Sequence, residues 1–138
     1  MMSNQILQSF AGFDDFLIYL GISLVMLAVF LAIYVRITPY REFSLIREGN
    51  MAAAFSLSGA MLGFIIPLAS AVTHSVNLVD MAVWGMVALV IQLFAFLAAR
   101  VLLPGIVADI PSGKQAPGFF LGALSLGVGM INAAAMTY

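Results

Sequence analysis

Few side chains here can do chemistry, and their positions limit which chemistry is open to the chain. There is one histidine, His74, no cysteine, and six Asp and Glu, none of them inside an apolar run. Without thiols there is no disulfide, no thiolate nucleophile and no zinc–thiolate site. One histidine with no intramembrane carboxylate offers neither a metal ligand set nor an acid–base pair within a membrane, and it disfavours a proton-coupled pump. Gly113-Lys114-Gln115 is no phosphate loop, because Ala108 stands where its first glycine belongs and Gln115 replaces the Ser or Thr that holds magnesium. Gly127-Val128-Gly129 lies within an apolar run, not between a strand and a helix, so it is no dinucleotide fingerprint. The chain reads as a non-enzyme with no cofactor and no metal.

What remains is a set of polar residues in apolar surroundings: Ser70, His74, Gln92 and Asn132. They are expected to form a polar cluster toward one end of the molecule. It would be either a small vestibule or a set of interhelical hydrogen bonds, and Gln92 would be either part of a passage or an amide clamp.

The elements that position these groups follow from composition. With 64% hydrophobic and 8% charged residues the chain lies outside the soluble globular range. Phe16–Val35, Met51–Thr73, Met81–Ala99 and Ala116–Tyr138 are uncharged apolar runs of 20, 23, 19 and 23 residues. At about 1.5 Å per residue each helix crosses a hydrocarbon layer roughly 30 Å thick. A helix satisfies its backbone within one segment, so an all-α integral membrane protein of four spans is expected. The first run is too long for a cleaved signal and lacks a basic leader, so it should be retained. Residues 1–15 form an external tail in this reading, in which Ile6, Leu7, Phe10 and Phe13 would line one face if it were helical.

The chain also repeats itself. At an offset of 64 residues, Gly21/Gly85, Phe30/Phe94, Arg36/Arg100, Ile46/Ile110, Gly49/Gly113, Ala52/Ala116, Gly63/Gly127 and Thr73/Thr137 are among 13 identities over 53 positions, where chance gives about four or five. Residues 16–74 and 81–138 are thus read as two tandem helical hairpins, joined by an external link at 75–80. The second and fourth spans carry small residues at three- and four-residue spacing. Gly59 and Gly63 in one, and Gly122 and Gly127 in the other, are expected to let these helices meet closely at the centre and support self-association.

Charge sets the orientation. All five basic residues, Arg36, Arg41, Arg47, Arg100 and Lys114, lie in or beside the two hairpin loops, while Asp14, Asp15, His74 and Asp80 lie beyond the opposite helix ends. The positive-inside rule then places both loops in the cytoplasm and both termini outside, so the repeats are parallel. Arg36 and Arg100 are either topological anchors or contacts to anionic lipid or a partner. Five bases against six acids leave no basic footprint for nucleic acid. The loop from Thr38 to Asn50 is expected to lie along the membrane surface, with Phe43 and Ile46 on one side of a short turn and Arg41, Glu42, Arg47 and Glu48 elsewhere, and Asn50 should cap the second span.

The runs ITPYREFSLIREGNMAAAFSLSGAMLGFIIPLASA and AVWGMVALVIQL and the ending GMINAAAMTY resemble the YjfL-like family of small bacterial inner-membrane proteins, a domain of unknown function with a tandem two-helix unit. The resemblance extends from about Phe16 to Tyr138. It implies four spans in the inner membrane and a link to envelope stress and to phage-shock-type membrane-binding proteins. It carries no catalytic residues. Two function classes follow: a self-associating scaffold or anchor that presents the basic loops to a partner, or a small channel or transporter subunit with a polar path.

Overall fold

Each apolar run becomes a helix in the computed structural model, which describes residues 2–138, and the helix ends fall where capping chemistry puts them. Helix α1 (Met2–Phe10) is short, has no buried residue, and turns at Ala11–Gly12 into α2 (Phe13–Ile37). The tail expected at the N-terminus is therefore helical. Helix α2 begins three residues ahead of the apolar run because Asp14 and Asp15 suit the positive end of a helix. It stops at Thr38, held extended by Pro39, which cannot donate to the helix ladder.

Two short helices fill the hairpin loops, α3 (Glu42–Arg47) and α6 (Ile106–Asp109). Both loops close alike. Gly49 N–H donates to Ile46 O and Asn50 N–H to Leu45 O, and in the other loop Gly113 N–H donates to Ile110 O and Lys114 N–H to Asp109 O. This paired six-to-one and five-to-two pattern is the Schellman motif, which needs a left-handed residue. Gly49 and Gly113 supply it, with φ of 87° and 81°.

Helix α4 (Met51–His74) starts at Asn50, whose Oδ1 accepts from Ala53 N–H at 3.0 Å, as the sequence predicts. The other half of that amide donates to Ile110 O at 2.9 Å, tying the two loops together at one end of the bundle. Helix α5 (Leu78–Leu102) is capped by Asn77, which accepts from Asp80 N–H, while Asp80 accepts from Val76 N–H. Helix α7 (Gln115–Ala135) has Pro117 in its first turn, where no donor is needed. It ends three residues short of the apolar run, and Tyr138 turns back toward α4.

Helix α4 is the axis of the molecule, and its contact with α7 is the most extensive in the structure. A Cβ on Gly59 would lie 2.2 Å from Gly122 Cα, one on Gly63 2.2 Å from Ser125 O, and one on Gly118 2.5 Å from Ala52 O. No real Cβ tolerates such distances, so only glycine permits this crossing. Gly127 does not take part: a Cβ there would meet no atom within 4 Å. Gly129, two residues on and on the opposite side of the helix, meets Gly63 instead, whose carbonyl Pro67 leaves without its usual i+4 donor. The glycine faces of α4 and α7 thus pack against each other within the chain.

Helix α2 sits at the periphery and buries only Phe30 and Tyr34. Phe30 stacks on Phe64 with centroids 4.5 Å apart, and Tyr34 meets Phe96 edge-on at 5.8 Å. Among the described residues the chain is all-helical, with four helices long and apolar enough to cross a membrane.

Candidate functional site

The four polar residues expected to cluster are distributed over separate levels. Gln92 lies on α5 about 21 Å along the axis from Leu78, at 1.5 Å per residue. It is fully buried, and its Nε2 donates to Ser125 O of α7 at 3.0 Å, directly against Gly63 of α4. It is a three-helix clamp. Ser70 and His74 sit at the far end, where Ser70 Oγ and Tyr138 OH share a hydrogen bond of 2.9 Å and His74 Nδ1 bonds to Ser70 O at 3.0 Å. The Tyr138 ring stacks on His74 and tilts against Trp84, with centroids 5.5 and 5.4 Å away. Asn132 joins neither group, and its Nδ2 is buried without a partner. Gln92 meets α4 at Gly63, two turns from Ser70, and Asn132 lies three residues past Gly129, which faces the same Gly63, so the three fall at successive depths.

The basic residues stand as a group at the loop end. Arg36, Arg41, Arg47, Arg100 and Lys114 are all exposed, and Lys114 pairs with Asp109 at 3.3 Å. The Arg100 guanidinium lies 6.0 Å from the Phe96 ring centre, its stem along the bundle surface.

Just beneath this charged surface lies a polar site that the sequence reading placed wrongly. Phe43 is 49% exposed, whereas its neighbour Glu42 is only 1% exposed and turned inward, away from the solvated surface expected of a charged loop residue. Glu42 opens α3, and its carboxylate accepts from the hydroxyl of Thr38, the residue that caps the C-terminal end of α2. Tyr34, in the last turn of α2, and Tyr40, in the connection, lie close enough to feel the Glu42 charge. Glu42 Oε2, Tyr34 OH and Tyr40 OH are buried, and none has a hydrogen-bond partner. Burial raises the Glu42 carboxyl to about 7, against a smaller opposing effect of the Thr38 hydrogen bond. Burial and the neighbouring Glu42 push the Tyr40 phenol up, while Arg100 pulls the other way. Sequence reasoning missed this site because Glu42 belongs to the most charged segment of the chain. The available signal was the spacing of Thr38 and Glu42 across Pro39, which brings a hydroxyl back to a carboxylate.

Along the other flank of α4 runs an apolar groove of about 470 Å³, lined by Leu20, Leu24, Leu27, Leu68 and Val72 among others. Its lining suits hydrocarbon, as the lipid-facing character of α2 requires.

The sequence comparisons agree with this architecture. The UPF0719 inner membrane protein YjfL of Escherichia coli K12 is 42% identical over 120 residues, covering 87% of this chain and 91% of the relative, and its counterpart in strain O157:H7 matches equally. The UPF0719 transmembrane protein YshE of Bacillus subtilis 168 is 26% identical over 118 residues, 84% of this chain and 88% of the relative. No solved structure matches the chain significantly. The family model described as Domain of Unknown Function (DUF350) matches residues 5–136, and with a four-span helical body the chain belongs to this family of membrane proteins.

Proposed function

We propose that this protein is a non-enzymatic scaffold or anchor of the bacterial inner membrane, with the loop end as its working face. The observation that carries this reading is the centre of the bundle. There the α4 and α7 backbones touch at Gly59, Gly63, Gly118, Gly122 and Gly129, and Gln92 closes the third side by bonding to Ser125. Backbone in contact with backbone leaves no room for a hydrated path through the protomer, which argues against the channel reading.

On this reading the loops are cytoplasmic and both termini are outside, supported by the five exposed bases at one end. The partner would be a peripheral protein of the phage-shock type, linked to envelope stress, that binds anionic lipid and the Arg41–Lys114 face together. Self-association, if it accompanies this role, uses the lipid-facing sides of α2 and α5, since the glycine faces are occupied. The two halves are read as a duplicated hairpin, and the matching Schellman turns at Gly49 and Gly113 support that origin.

Two measurements on proteoliposomes test the proposal. Vesicles holding the wild-type chain should leak neither ions nor small solutes beyond protein-free controls. A purified phage-shock-type protein should sediment with them, and Arg41→Glu/Arg47→Glu should reduce that binding. Conductance that Asn132→Leu abolishes without loss of fold would replace the scaffold by the channel.

A further inference from the structure

We propose that Glu42, Thr38, Tyr34 and Tyr40 form a binding site for a small monovalent cation such as Na⁺ or K⁺. The first argument is the donor set. Every side-chain polar atom in the cluster is an oxygen: one carboxylate, one alcohol and two phenols. Oxygen donors suit hard cations. Glu42 Oε2, Tyr34 OH and Tyr40 OH are all buried and unpaired, and both phenols are near enough to Glu42 to feel its charge, so three free oxygens are offered around one carboxylate. Tyr34 and Glu42 are each 1% exposed, and leaving such atoms unsatisfied is unfavourable.

The second argument is charge. Thr38 is the C-cap of α2, so Glu42 meets the negative end of a helix that spans the membrane, an effect that outweighs the positive end of the six-residue α3 it opens and favours a cation beside it. Among the described residues the single ion pair is Lys114–Asp109, and Glu42 has no basic partner. The charged or titratable groups facing the cluster are Tyr34 from α2, Tyr40 from the connection and Arg100 from α5, and Arg100 is exposed and directed along Phe96. A carboxylate so placed is either protonated or neutralised by a bound ion. One carboxylate balances one positive charge, and a divalent ion would leave an uncompensated charge in apolar surroundings.

The third argument comes from the 64-residue register, in which Glu42 falls on Ile106. Ile106 is fully buried in the opposite loop. The fold is therefore served by an aliphatic side chain at this place, and the carboxylate is not there for packing. The site lies under α3, so an ion bound to it would join the end of α2 to the loop that carries Arg41 and Arg47. The inference stands whether or not that loop receives a partner.

The test uses the full chain in detergent or nanodiscs, in N-methylglucamine chloride at constant ionic strength. Replacing the organic cation by Na⁺ or K⁺ at pH 8 should raise Tm on the order of 5–10 °C, the size expected for a ligand well above its Kd. The gain should vanish at pH 5, where the proton occupies Glu42. Glu42→Gln should abolish it at both pH values. Tyr40→Phe keeps the ring and removes one ligand oxygen, so it should shift the Na⁺ or K⁺ midpoint to higher concentration, and it decides the matter if Glu42→Gln does not fold. A Tm at pH 8 indifferent to the cation, a gain given by Mg²⁺ or Ca²⁺ alone, or a gain that survives Glu42→Gln would each overturn the site and leave Glu42 a buried carboxyl that titrates without a bound ion.

Discussion

Gln92 and Glu42 are both buried polar residues at the 1% level or below, yet they behave differently because Gln92 is a neutral amide bonded to another helix while Glu42 is titratable and bonds only to nearby Thr38. An interhelical hydrogen bond in lipid is worth on the order of 0.6 to 2 kcal/mol. Gln92→Leu should therefore lower stability by about that much, read by thermal or chemical unfolding in detergent, and leave the membrane as impermeable as before. Glu42 acts through its proton. Its carboxyl titrates near 7 in the folded chain, above its ordinary value of 4.5, so the folded state holds the proton after the unfolded chain has lost it. Stability is then fully present below about pH 4.5, falls as the pH rises, and reaches its low plateau above 7, a loss of the order of 3 kcal/mol. In a buffer with no small cation, unfolding measured from pH 4 to pH 8 should show this decline in the wild type. Glu42→Gln should flatten it.

At the level of the helices, glycine position decides which substitutions matter. Gly122→Leu drives a side chain into the Phe55 carbonyl, which lies 2.3 Å from where its Cβ would stand. It should destabilise by several kcal/mol or prevent assembly of the bundle, because backbone cannot yield as a side chain does. Gly127→Leu enters open space and should change stability by less than about 0.5 kcal/mol. Equal losses from the two, measured as Tm in the same detergent, would show that the α4/α7 crossing is misplaced.

This pair also marks what the sequence could disclose. Four spans, the Asn50 cap and close packing of the second and fourth spans were legible, because each follows from local composition or spacing of a few residues. The choice between Gly127 and Gly129 was not. They are separated by two residues, about 200° around a helix, and the 64-residue register favours Gly127 over the position that the crossing angle selects. Glu42 was illegible for a related reason. Hydropathy assigns a carboxylate in a charged loop to water, and only the return of the chain at Thr38–Pro39 turns it inward.

For the whole molecule, the arrangement in the membrane rests on charge asymmetry and is open to direct measurement. The chain has no cysteine, so a single introduced thiol reports its own side of the membrane. Ser112 in the α6–α7 connection is exposed and tolerates the change, since its hydroxyl serves only to bond Ala108 O within the same turn. At the other end Val76 is suitable, being 80% exposed. If the five bases hold the loop end in the cytoplasm, an impermeant thiol reagent added to intact cells with a permeabilised outer envelope should label Val76→Cys and leave Ser112→Cys unmodified until the inner membrane is opened. Labelling of Ser112→Cys in sealed cells, with Val76→Cys protected, would invert the molecule. The basic face and the Glu42 site would then look outward, and a cytoplasmic partner would have to meet the end formed by Ser70, His74, Trp84 and Tyr138.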